Sequence, residues 1–172
     1  MQSKRIGKTK LVEFLEMIDE ELEKPIDLIA VGGTALTLLG LKTSTIDVDF
    51  NFKDNQDEQE FKKASDRIPH GWKIDYFVGG FIFFTQLPDD YLQKCIRIHK
   101  FRHIRLYTLH PLDIIVSKIG RLDERDIEDI KSCIKKYKLE KNQVKKRAEK
   151  VVYTGNERNY EANLQYVLEN LF

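Results

Sequence analysis

The chain has 172 residues, 41% of them hydrophobic and 33% charged, with a formal net charge of +1. That is enough for one domain, or a core domain with a helical appendage, and the composition is that of a chain with an ordinary packed core. Near-neutrality excludes nucleic-acid binding through bulk positive charge, so any polyanion contact must come from a local patch, and no apolar run is long enough to span a bilayer.

The elements predicted in chain order alternate between helix and strand. Leu11, Phe14, Leu15, Ile18 and Leu22 recur at helical spacing, and Pro25 ends that helix. Asp27 to Val31 reads as a short buried strand, then a Gly-Gly turn and a helix to about Leu41. Thr45 to Phe52 alternates strictly, with Ile46, Val48, Phe50 and Phe52 on one face and Thr45, Asp47, Asp49 and Asn51 on the other. Asp57 to Ile68 is an acidic amphipathic helix. Trp72 to Val78 reads as a strand, Gly79-Gly80 as a tight turn and Phe81 to Thr85 as its hairpin partner. Cys95 to Phe101 and Ile104 to Leu109 are two further strands. Helices follow over Pro111–Arg121, Glu124–Lys138, Glu140–Val152 and Glu157–Leu171. The resulting expectation is an α/β fold, a mixed sheet flanked by helices, with a core over residues 1–110 and a helical region over 111–172 packed on it.

The chemistry concentrates between Val31 and Phe52. A Gly32-Gly33 turn that opens a helix offers backbone N–H groups to a phosphate, and the Thr34 hydroxyl can add a donor or serve as an ordinary helix cap. Asp47 and Asp49, two apart on one strand face, can share a cation. An alternating strand with one wet face needs no function, but aspartate is depleted in strands and two like charges on one face repel. Gly7-Lys8-Thr9 has the last letters of a P-loop, but Gln2 stands where that motif needs glycine, so a P-loop is set aside. A dinucleotide-binding fold is set aside because no G-x-G-x-x-G occurs. Cys95 and Cys133 lack metal-ligand spacing and read as reduced thiols, and Met1 to Thr9 lacks the apolar stretch of a secretion signal, so a cytoplasmic protein is expected. The four histidines form no ligand-like group.

Val31-Gly32-Gly33-Thr34 followed by Asp47-Val48-Asp49 resembles the signature of the polymerase-beta-like nucleotidyltransferase superfamily. The stretch from Leu106 to Ile130, with a Pro-led helix carrying Lys118 and an Arg-Asp-x-x-Asp helix start, resembles its minimal branch, similar to abortive-infection (AbiEii-type) toxin nucleotidyltransferases. The resemblance implies two Mg²⁺ ions held by Asp47 and Asp49, with Asp75 on a neighbouring strand as third ligand and catalytic carboxylate. It implies nucleotide contacts from Gly32, Gly33, Thr34, Lys118 and Asp126, although Asp126 and Asp129 are also close enough in sequence to Arg121 and Arg125 for local ion pairing. The implied reaction moves a nucleoside monophosphate from an NTP to a hydroxyl on tRNA, other RNA or protein, with a cognate antitoxin as a candidate partner and no membrane. Two basic stretches, Lys94–Arg105 and Lys131–Lys150, are candidate RNA contacts or simply solvated faces. The competing expectation is a catalytically weak member of this fold kept as an RNA- or protein-binding module.

Overall fold

The structure, a computed structural model, describes residues 4–172; the first three residues of the basic N-terminal segment lie outside the described residues. In chain order the elements are β1 (Ile6–Gly7), α1 (Lys8–Glu21), β2 (Ile26–Ala30), α2 (Gly32–Leu38), β3 (Ser44–Thr45), β4 (Val48–Phe52), α3 (Asn55–Ser65) and β5 (Ile74–Val78). Next come β6 (Phe81–Ile82), β7 (Thr85–Gln86), α4 (Tyr91–Lys94), β8 (Ile96–Lys100), β9 (Ile104–Thr108) and α5 (Pro111–Lys118). The last are α6 (Glu124–Tyr137), α7 (Lys141–Glu149), β10 (Val152–Tyr153) and α8 (Glu157–Asn170). The chain divides into two compact units, Met1–Gly79 with Cys95–Leu109, and Gly80–Lys94 with His110–Phe172.

The first unit is built on a five-stranded mixed sheet in the order β5-β4-β2-β9-β8. β2 runs parallel to β9 and β4 parallel to β5, while β2 and β4 are antiparallel, as are β8 and β9. Phe50 and Phe52 on β4 and Tyr76 on β5 meet Phe61 of α3, with ring centroids 5.4–6.1 Å apart. Each of these phenylalanines is fully buried, worth on the order of 2–3 kcal/mol apiece. Since β4 alternates, Asp49 and Asn51 lie on the opposite sheet face from that aromatic cluster. The C-terminal end of α1 is tied to the sheet by buried Asp19, whose carboxylate accepts the backbone N–H groups of Arg102, His103 and Ile104 at 2.7–3.2 Å. One acid thereby satisfies three donors at the tight turn between β8 and β9.

Two expectations need correction. The continuous strand over Thr45–Phe52 is two strands: β3 pairs with β1, and β4 starts at Val48 after a bend at Ile46-Asp47. The Asp47 carbonyl explains the break, since it accepts from the Thr45 hydroxyl at 2.9 Å and from the Thr34 hydroxyl at 3.2 Å. The expected hairpin across Gly79-Gly80 does not form either. β5 is an edge strand paired only with β4, whereas β6 pairs with β7 and belongs to the second unit. The turn of that real hairpin is Phe83-Phe84, both at positive φ (48° and 66°), a conformation that two phenylalanines do not advertise in sequence.

The second unit packs α5 to α8 with the small sheet β10-β7-β6. Its polar centre is Arg147, 4% exposed, which binds Asp113 through Nε (2.6 Å) and Nη2 (2.9 Å) and reaches Asp90 through Nη1 (2.8 Å). The Tyr160 hydroxyl donates to the Val116 carbonyl at 3.0 Å and so joins α8 to α5. Among the described residues no helix is long and apolar enough to cross a membrane.

Candidate active site

The turn between β2 and α2 is shaped by its first glycine. Gly32 sits at φ +54°, in the left-handed region, where a side chain is strained. Gly33 is glycine for a different reason: a Cβ added there would lie 2.8 Å from Thr45 Oγ1, closer than real contacts allow. The Val31 N–H donates to the Asp49 carbonyl (3.1 Å), and the Thr34 hydroxyl accepts the Asp49 N–H (2.9 Å) while donating to the Asp47 carbonyl. Thr34 is fully buried in this clasp. It is not the helix cap, which is Val31, and its hydroxyl is committed to joining the glycine turn to the aspartate strand.

The clasp brings the acids beside the turn. Asp49 is buried, at 6% exposure, in the middle of the sheet. Its register partner across the parallel β4–β5 pair is Asp75. Residues in register on neighbouring strands point to the same face, with backbones about 4.8 Å apart, so Asp75 lies on the Asp49 side of the sheet. Asp75 is 38% exposed on the edge strand and stands 3.8 Å from the Lys73 ammonium. Asp47, in the bend, is exposed. Asp47 before β4, Asp49 on β4 and Asp75 on β5 are hard carboxylate donors, the type that suits Mg²⁺. Among the described residues no three His, Cys, Asp or Glu side chains are gathered tightly enough to hold a metal ion together.

Lys118 and Asp126 lie in the second unit and bind each other. Lys118 is 5% exposed, with Nζ 3.3 Å from Asp126 and 3.0 Å from Asp129. Asp126, 0% exposed, accepts from Arg121 Nε and Nη2, both at 2.7 Å, and from the Asp123 N–H, closing a capping box at the start of α6. Burial opposes its charge, but the Arg121 hydrogen bonds and the nearby Lys118 ammonium outweigh it and hold the carboxyl down at about 2. Asp126 thus pairs with Arg121, five residues before it. Nearby Cys133 is buried and its thiol is pushed up to about 12, mainly by desolvation, which makes it unreactive.

Sequence reasoning missed Lys42. Its ammonium lies 3.9 Å from where a Gly33 Cβ would be, beside the glycine turn. No spacing rule flags it, because it arrives only through the chain reversal at Gly40 (φ +76°) after α2.

A left-handed glycine turn is thus clasped to a strand bearing a buried aspartate, with a second aspartate in register beside it. The chain belongs to the family described as nucleotidyltransferase of unknown function (DUF6036), which it matches over residues 9–170. No curated protein and no solved structure matches it significantly. Family membership supports nucleotidyl transfer as the activity and a nucleoside triphosphate as a substrate.

Proposed function

We propose that this chain is a metal-dependent enzyme that transfers a nucleoside monophosphate from an NTP to a hydroxyl of RNA or protein. The observation that carries the reading is the buried Asp49, in register with Asp75 and bonded through its own backbone to the Gly32-Gly33 turn. The first amides of α2 have no acceptor within the helix, and Gly32 and Gly33 keep side chains away from them, so they are disposed to hold phosphate oxygens. Asp49, Asp75 and Asp47 would hold Mg²⁺, two ions in the fullest form. Bound metal supplies charge neutralisation at the phosphates and a lower pKa for the attacking hydroxyl. Asp75, half-exposed at the sheet edge, would take the proton of that hydroxyl, whose oxygen bonds to the α-phosphorus as pyrophosphate leaves. Lys118, held between Asp126 and Asp129 within the second unit, binds a phosphate in this reading by exchanging one of those carboxylates for it.

The likeness of Leu28 to Ile130 to abortive-infection toxins extends the proposal to a cytoplasmic toxin acting on tRNA and restrained by an antitoxin. One observation favours a second reading, a binding module with weak catalysis: three acids are not gathered at metal-ligand distance among the described residues. Incubating the protein with each labelled NTP, Mg²⁺ and total tRNA or protein extract decides between them. Label transfer is expected from the wild type, with a loss of about 10³-fold or more in Asp49→Asn, the order for removing a principal electrostatic group. Transfer that survives both Asp49→Asn and chelation would overturn the metal-dependent reading.

A further inference from the structure

The first unit holds a second place of distinct chemistry, an open surface pocket of about 550 Å³ lined by Arg5, Lys8, Lys10 and Lys42 and by no carboxylate. Three of these cations come from one short segment around β1, with Lys8 and Lys10 in the first turn of α1. The fourth arrives because the Leu41 and Lys42 N–H groups both bond to the Leu36 carbonyl, at 2.8 and 3.2 Å, reversing the chain after α2. The pairing of Ile6 with Thr45 and Gly7 with Ser44 then sets the Lys42-Thr43 segment against the start of α1.

Nothing in the packing of α1 calls for this charge. Its first turn contains no acid, and its cap, Gly7, supplies no side-chain hydrogen bond to the exposed helix amides. Cations at a helix N-terminus are disfavoured by the helix dipole, and the like charges of Arg5, Lys8 and Lys10 around it repel each other. An anion in the cavity removes both penalties. Thr9 and Thr43, also on the wall, add hydroxyls suited to phosphate oxygens. Lys42 joins this cavity to the candidate active site, since its ammonium also lies next to Gly33.

We propose that the cavity formed by Arg5, Lys8, Lys10 and Lys42 binds a run of phosphate groups that enters the transfer site beside Gly33. Its purpose rests on the nucleotidyl-transfer reading; its chemistry does not. The phosphates come either from the tail of the nucleotide or from the backbone of an acceptor strand, and both present the same repeated anions to the same lysines.

The first measurement is binding of inorganic tripolyphosphate by calorimetry at low salt. The variants are Lys8→Ala/Lys10→Ala, Lys42→Ala and, as a control that matches the single charge lost in Lys42→Ala but lies elsewhere, Lys63→Ala on α3. Lys8, Lys10 and Lys63 are exposed, so these changes leave the core intact, and thermal melts confirm it. The expected loss is about tenfold per lysine, the order of one charge-assisted contact, with Lys63→Ala unchanged. Binding that is unaffected in Lys8→Ala/Lys10→Ala, or weakened equally by Lys63→Ala, overturns the proposal. A raised KM for NTP at unchanged kcat in the double variant assigns the phosphates to the nucleotide. Weakened binding of a short oligouridylate at unchanged KM for NTP assigns them to the acceptor strand. If the wild type transfers no label yet tripolyphosphate binding still depends on Lys8 and Lys10, the transfer reading fails and the cavity stands. Transfer with lysine-independent tripolyphosphate binding eliminates the cavity alone.

Discussion

Replacing Asp126 by Asn tests whether the Lys118–Asp126 pair is part of the scaffold. The amide keeps an acceptor for the Asp123 N–H but removes the charge that binds Arg121 and Lys118. In the folded chain the Asp126 carboxyl is held at about 2, against an ordinary 3.8. At about 1.4 kcal/mol per pH unit, that gap makes the ionised form worth on the order of 2–3 kcal/mol to folding at neutral pH. Because the folded value lies below the unfolded one, this stability is fully present above about pH 4. It is lost as pH falls toward 2. Urea unfolding of Asp126→Asn should therefore cost about 2–3 kcal/mol at pH 7. The variant should also lack the part of the wild-type decline between pH 4 and 2 that Asp126 causes. A cost below about 0.5 kcal/mol at pH 7, with an unchanged acid profile, would show that the network does not support the fold and would return Lys118 and Asp126 to a purely functional role.

Two further outcomes follow from the second unit. Arg147→Met leaves the fully buried Asp113 without its bidentate partner and should cost about 3–5 kcal/mol in denaturant unfolding. Combining it with Asp113→Leu should recover most of that loss, because the unpaired buried charge is gone; no recovery would contradict this account. Phe83→Asn/Phe84→Gly places turn-compatible residues at two positive-φ positions and should raise stability by on the order of 1–2 kcal/mol, read by the urea midpoint. A lower midpoint would mean that the exposed Phe84 ring contributes more than its backbone strain costs.

Local physics made much of this protein legible. Helical periodicity placed α1, α3 and the C-terminal helices to within a few residues, because one apolar stripe must face a core wherever that core lies. Gly32 was readable as a special backbone position, and alternation put Asp49 on the face opposite the buried aromatic residues. Tertiary structure decided the rest. The break before β4 depends on two hydroxyls meeting the Asp47 carbonyl, one from a residue 13 positions away. The edge position of β5 depends on which strands found partners, which an apolar run does not encode. Lys118 looked like a lysine on the flank of a helix, yet it is buried between two acids one turn apart on α6. Lys42 reached the glycine turn only because the chain reversed at Gly40. Periodicity reports which side of an element is apolar. Which charged groups meet is set by the packing of elements distant in sequence, and that information belongs to the fold as a whole.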